Sequence, residues 1–588
     1  MASSPSSEEV LIAYKLQGGD VSKLDLQDAN LPGISLPAAT FGKDLQRVNL
    51  EGAYLADAQM IGSDLEGARC AQAQLMKADI QQANLFGADL AQTNLECSNL
   101  SESNLNSASF EGAYLRRAIL RLVTGTANFK QANLINVVFD GANCRGSDFS
   151  EAMLSSAVSS SIAGVKESPQ VDFSEANFRG AILNQACFPD VLMMGANLTS
   201  ITAIQAILDR TNFHEAILQQ ANLQKSSLIG ANFCHAVLDQ ALLSSANLEG
   251  ANLCDAKLSG ALLKNVNLCN ANLEGATLVE THLESAKLEN ANLSRAKLDG
   301  ADFSRADLTN ASLLDSDLRK VILTDTLLRQ AKLQRANLAG MDLSRIDLSG
   351  ADLQDADLRG ANFTGANLKE ANLSGAKLDE AYFDSADLRR ANLSQVLCNL
   401  TSFKDANLWG VTLENAELVQ VDFSLANLRK ANLRQASFQN INFDGSDVTY
   451  IDAYGVRGLS VLDLEQHGEL YRSEVIAEIA YQVWRAHSSR YICDENYCIA
   501  GDQQLQQSTL VILSRHSRQS KSILRARFID QPNLQPKGRH KVQILSENYH
   551  YHPDYVNFMR IRDQFLLDRN AGFKVVSSQS VQSQSPGK

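Results

Sequence analysis

Counted in fives from Phe173 to Val448, 52 of 56 stops are Leu or Phe, the exceptions being Met193, Ala203, Cys398 and Val448. An Ala stands two residues before most stops, with Asn or Asp between, as in Ala-Asn-Leu at 251–253, 271–273, 291–293 and 371–373. A period of five matches neither the 3.6 of a helix nor the 2 of a flat strand, so no such element turns this apolar column one way. It fits a coil that turns one corner every five residues, with each Leu aimed at a common axis and the intervening residues outside. Phe363, Phe383, Phe403, Phe423 and Phe443 recur at a spacing of 20, which sets four faces per coil. Coils paired like parallel strands, ~4.8 Å apart, would stack these five rings in one internal column.

The same column begins earlier, at Leu26, Leu31, Leu36 and Phe41, loses one residue, and runs in fives from Leu45 to Leu120. It loses another between Leu120 and Phe129, beside Gly125, and continues to Leu154. Each loss predicts a tightened corner or bulge. The Ser-rich stretch 155–172, with Pro169, reads as a loop excursion. All 82 stops make about 20 coils and a rod of roughly 100 Å. Residues 6–16 read as a short helix, with Ser6 and Glu9 at capping-box spacing, that plugs the open edge of the first coil.

With its Ala-(Asn/Asp)-Leu-x-x units, the chain resembles the pentapeptide-repeat family over about three quarters of its length. It looks like a long, cyanobacterial-type member with a carboxy-terminal extension. The resemblance implies an all-β solenoid, a right-handed quadrilateral β-helix. The predicted organisation is a capping helix and lead-in at 1–25, the β-helix at 26–448 interrupted at 155–172, a small α+β domain at 449–576, and a disordered tail at 577–588. Within the α+β domain, 469–487 and 553–568 read as helices, and 508–513, 523–529 and 541–545 as strands.

Charge divides the chain. The net −14 splits into −17 on residues 1–448 and +3 beyond them. No run approaches the 18 apolar residues of a membrane span, and residues 1–9 lack a signal core, which points to a cytoplasmic protein without membrane insertion. Cys70, Cys144 and Cys398 hold central positions and read as small core residues. Cys234 and Cys254, 20 apart on an outward position, are expected to stack as free thiols in a reducing compartment.

No phosphate-binding glycine loop, His-Glu-x-x-His or nucleophile elbow occurs, and flat outward faces offer no convergent pocket. No enzyme, cofactor or metal is expected in the repeats. Sorting outward positions by face singles out Lys369, Arg389, Trp409 and Arg429, 20 apart, with Arg390 and Lys430 beside them. Stacked, they predict an indole flanked by Arg389 and Arg429, either a surface cation–π ladder or a protein-docking patch. In the carboxy-terminal region His487, Cys493, Cys498, His550 and His552 include zinc-ligand types at loose spacing. The basic run from Arg515 to Arg527 suits an anionic partner, while too few aromatics accompany it for direct nucleic-acid binding.

The function expected is a non-catalytic scaffold for a protein partner. Two alternatives stand beside it. The family resemblance allows a DNA mimic that inhibits a type II topoisomerase, and the carboxy-terminal domain could carry an enzymatic or metal-binding activity.

Overall fold

The computed structural model describes residues 5–159, 169–449, 451–453 and 455–459, and the backbone of six strands between 492 and 576. It divides into two units, Met1–Asp357 and Leu358–Lys588.

The first unit opens with helix α1, Ser7–Leu16. Its capping box is complete: Glu9 N–H donates to the Ser6 hydroxyl at 3.4 Å, and Ser6 N–H donates to the Glu9 carboxylate at 2.7 Å. Val10 is buried, and the Tyr14 hydroxyl donates to the Pro37 carbonyl at 2.6 Å.

From Asp20 onward the unit is built of isolated parallel bridges between residues one coil apart, as in Asp44, Asp64, Asn84 and Asn104. Each five-residue step has one construction. The central carbonyl accepts from the N–H three residues on (Ala68 N to Leu65 O, 2.9 Å), which closes a corner. The central N–H donates to the next coil (Leu65 N to Asn84 O, 2.7 Å). The second corner residue has positive φ even where it is not Gly: 61° at Asp57, 58° at Gln72 and 58° at Glu215. That conformation costs roughly 1–2 kcal/mol for an L-residue, offset by backbone bonds and core burial.

The Asn of Ala-Asn-Leu does two jobs. Along the column Asn212, Asn232, Asn252, Asn272 and Asn292, each Nδ2 after the first donates to the Oδ1 one coil earlier, at 3.0, 3.2, 3.0 and 3.1 Å. The same Oδ1 accepts from the N–H two residues on, as from Cys234 N to Asn232 at 3.1 Å. One side chain therefore satisfies its own corner and zips two coils.

The missing residues at 41–45 and 120–129 are absorbed as coils of 19, with Thr40 bridging Gln59 and Ser109 bridging Asn128. Both tight corners carry a glycine that nothing larger fits. A Cβ on Gly42 would lie 2.5 Å from the Ser22 carbonyl oxygen, and one on Gly125, at φ 118°, would lie 2.5 Å from Asn106 N. Gly125→Ala should therefore destabilise by ~1–3 kcal/mol, read as a urea midpoint. Gly250→Ala, with no atom within 4 Å of the new Cβ, should cost less. Equal losses would show that steric approach is not the constraint.

The repeat also reaches further than its Leu/Phe column suggests. Val21 is buried one step before Leu26. Val158 bridges Cys187, so the unit at 155–159 is a rung rather than loop, which corrects the excursion to begin after Ser159. Its central position is Ser159, buried at 5% exposure and polar, hence invisible in an apolar column.

In the second unit the five predicted rings do stack. Successive centroids from Phe363 to Phe443 lie 4.8, 4.9, 5.2 and 5.5 Å apart, within 11° of parallel. Strands β1 (Leu397–Asn399), β2 (Glu417–Val419) and β3 (Ser437–Gln439) pair in parallel, with Cys398 opposite Leu418 and Leu418 opposite Phe438. Rungs continue beyond Val448, since Asp452 bridges Asn432 and Arg457 bridges Ser437. Ala453 and Gly458 stand at the central positions there, too small to register as Leu stops.

A separate sheet runs in the order β4 (Ile492–Cys493), β5 (Tyr497–Gly501), β6 (Thr509–Ser514), β7 (Lys521–Ile529), β8 (Lys541–Glu547) and β9 (Lys574–Val576). It is antiparallel except for the parallel β8–β9 pair. The helices expected at 469–487 and 553–568, and the tail at 577–588, lie outside the described residues.

Candidate functional site

Lys369, Arg389, Trp409 and Arg429 are the first corner residues of successive coils, each directly after a buried Leu. The second corner column reads Glu370, Arg390, Gly410 and Lys430. Positive φ at Arg390 and Lys430, 59° and 61°, belongs to the corner geometry itself. Gly410 offers no side chain between them, and a Cβ there would touch Arg390 Cγ at 3.7 Å. Arg390 and Lys430 both reach the ring of Trp409, with Arg390 Cζ 5.4 Å and Lys430 Nζ 5.5 Å from its centroid. Each such exposed contact is worth ~0.5–1 kcal/mol.

The expectation for Arg389 is thereby corrected. Its guanidinium folds onto Asp387 of its own coil, with Nε–Oδ1 at 2.8 Å and Nη2–Oδ2 at 2.5 Å, because the two side chains lie on neighbouring outward positions of one rung. Those hydrogen bonds hold the Asp387 carboxyl below its ordinary value against the opposing effect of partial burial. Its stabilising effect is present above the ordinary carboxylate range and is lost as pH falls through the lowered value. Arg390 takes the place at the indole and lies 3.7 Å from Glu370.

These side chains surround a cleft of about 510 Å³, lined by Lys369, Arg389, Arg390, Asn407, Trp409 and Asn427. The asparagines extend the ladder logic, with Asn427 Nδ2 donating to Asn407 Oδ1 at 3.2 Å. Sequence reasoning missed both, although they sit two residues before Trp409 and Arg429 and share their spacing of 20. The cleft combines a half-buried indole, several cations and fixed amides, which suits a partner offering apolar surface beside carboxylates.

The cysteines divide by position. Cys70, Cys144 and Cys398 are buried in the core column, and burial pushes the thiols of Cys70 and Cys144 up to about 12. Cys234 and Cys254, expected as free thiols, are instead joined in a disulfide across adjacent coils, with Cα atoms 4.7 Å apart. The coil spacing brings the two Cβ atoms within reach, so only the redox environment decides between thiols and bridge. Alkylation of the native, unreduced protein should label exposed Cys97 and spare Cys70, Cys144, Cys234 and Cys254; added reductant should open the last two. Mass mapping that finds Cys70 or Cys144 modified in folded protein would contradict this burial.

Of the carboxy-terminal zinc-type residues, Cys493 and Cys498 are opposed register partners on β4 and β5. His487, His550 and His552 lie outside the described residues, as does the stretch between β6 and β7 within the basic run. Among the described residues no helix is long and apolar enough to cross a membrane.

Comparison with curated proteins gives no match. Solved structures do match. HetL, a pentapeptide repeat protein involved in heterocyst differentiation regulation in the cyanobacterium Nostoc sp. strain PCC 7120, is 29% identical over 44% of this chain and 86% of its own, with a TM-score of 0.15. A pentapeptide repeat protein of the Arabidopsis thaliana thylakoid lumen is 27% identical over 25% of this chain and 78% of its own, at 0.13. QnrB1, a plasmid-mediated fluoroquinolone resistance protein, is 18% identical over 41% of this chain and 88% of its own, at 0.18. The family model described as "Pentapeptide repeats (8 copies)" matches residues 44–82, 83–121, 127–157, overlapping stretches from 169 to 396, and 401–440. These matches cover more than half of the residues, and the chain belongs to the pentapeptide-repeat family, whose members fold as right-handed quadrilateral β-helices.

Proposed function

We propose that this protein is a non-catalytic scaffold that binds a protein partner through the Trp409 face. The observation that carries the reading is the half-buried indole held between Arg390 and Lys430 beside a cleft on a solenoid face. Trp and Arg are the side chains most favoured as interface anchors, and a stacked ladder loses little entropy on docking. A photo-crosslinker introduced at Lys369 in the full chain should capture a defined protein that the same probe at Gln220, on a remote coil, does not. Identical products from both positions would remove the patch from consideration.

The finer organisation belongs to the same reading. Helix α1 plugs the first coil, supported by buried Val10 and the Tyr14–Pro37 hydrogen bond. About 20 coils form the repeat, and an α+β domain follows it in a cytoplasmic protein. The bridge between Cys234 and Cys254 pulls against a reducing compartment, and labelling in freshly lysed cells reads which state prevails.

The DNA-mimic alternative rests on family likeness and an acidic repeat region alone. Five cations crowd the candidate patch, and 36 Lys and Arg dilute the 53 acids of residues 1–448. Gyrase supercoiling should therefore proceed at its normal rate with stoichiometric protein present. Potent inhibition that weakens with salt would reverse the ranking.

A further inference from the structure

We propose that His282, Glu284 and Asp302 bind a divalent first-row transition cation that clamps two adjacent coils. His282 and Asp302 are bridge partners one coil apart, and Glu284 occupies the first corner position after Leu283. Their ligand atoms, one from each side chain, all lie within 4.8 Å of one another. His282 Nδ1 stands 3.6 Å from Glu284 Oε1, too far for a hydrogen bond. Two ligands each ~2.1 Å from a tetrahedral metal are ~3.4 Å apart, so this pair already has the spacing of a shared ion. Small side-chain rotations bring in the third ligand.

A second observation points the same way. Glu284 Oε2 is shielded from solvent and has no hydrogen-bond partner. The other buried, unpartnered side-chain atoms among the described residues are Arg121 Nε, Ser159 Oγ and Ser174 Oγ, so this is the one carboxylate oxygen among them. A carboxylate oxygen withdrawn from water is costly unless a positive group compensates. Asp302 is already oriented, since its Oδ1 accepts from Ser304 N–H at 2.8 Å. Along the same column Leu262 and Ile322 stand one coil to either side of the pair.

One imidazole and two carboxylates supply two negative charges and a nitrogen donor. That set selects Zn²⁺, Co²⁺ or a similar ion over Mg²⁺ and Ca²⁺, which favour all-oxygen sites. Water completes the coordination on the open side. All three side chains point away from the Leu column, so their removal leaves the core intact.

The test is a titration of chelator-stripped full-length protein with Zn²⁺ against a chromophoric competitor. The wild type should bind one equivalent more than His282→Ala. Glu284→Gln, which keeps shape and removes charge, should weaken that equivalent by at least about tenfold. Excess Mg²⁺ should not displace it, and Zn²⁺ should raise the melting temperature of the wild type but not of either variant. Because other His and Cys residues in the chain also take zinc, the difference between wild type and variants is the readout. Equal stoichiometry and affinity in all three proteins, no zinc bound by the wild type, or ready displacement by Mg²⁺ would each overturn the proposal. If His282→Ala fails to fold, Glu284→Gln alone decides.

Discussion

Phe403→Ala should lower stability by about 3–5 kcal/mol, the usual cost of emptying a buried aromatic site. The ring is fully buried and stacked between Phe383 at 4.9 Å and Phe423 at 5.2 Å, so truncation opens a void inside a continuous column and strips two neighbours of their contacts. Relaxation is restricted because backbone bridges hold the coils in register above and below, as at Ser402 with Tyr382 and with Asp422. A solenoid transmits such damage mainly to nearest neighbours. Amide exchange should therefore accelerate across the coils carrying Phe383, Phe403 and Phe423 and leave coils near Leu65 unchanged. Phe403→Leu, restoring the residue found on most central positions, should recover most of the loss. A Phe403→Ala variant within ~1 kcal/mol of wild type would mean that the column is not a packed core.

Much of this architecture was legible because one column repeats with a period that no helix or flat strand shares. The unread rungs failed for a common reason. Ser159 and the terminal Ala453 and Gly458 occupy central positions without the apolar bulk that makes the column visible. Corner geometry was hidden as well. Positive φ falls on Asp, Gln, Arg and Lys as readily as on Gly, so composition alone does not mark it. At the patch, the spacing of 20 found the right face but chose the wrong arginine. It is blind to whether a guanidinium folds back along its own rung, as Arg389 does to Asp387, or leans across a glycine, as Arg390 does beside Gly410. The disulfide escaped because a prior about compartments outweighed a correct prediction that the two cysteines stack.

Binding at the Trp409 face should depend on two side chains together. Trp409→Ala with Arg390→Ala removes the indole and the guanidinium that lies 5.4 Å from it, and leaves Leu408 and Leu388 buried beneath. Folding stability should fall by no more than ~1 kcal/mol, the worth of an exposed cation–π contact. Loss of two anchors should instead cost ~2 kcal/mol or more of binding free energy, or at least about thirtyfold in Kd. Arg389→Ala, which removes a group already committed to Asp387, should have the smaller effect on binding. The deciding measurement is a calorimetric titration of the partner captured at Lys369 against full-length wild type and the double variant, with melting temperatures taken in parallel. The account predicts weakened binding by a protein that still melts like the wild type. Undiminished affinity in the folded double variant would contradict it and move recognition away from this face.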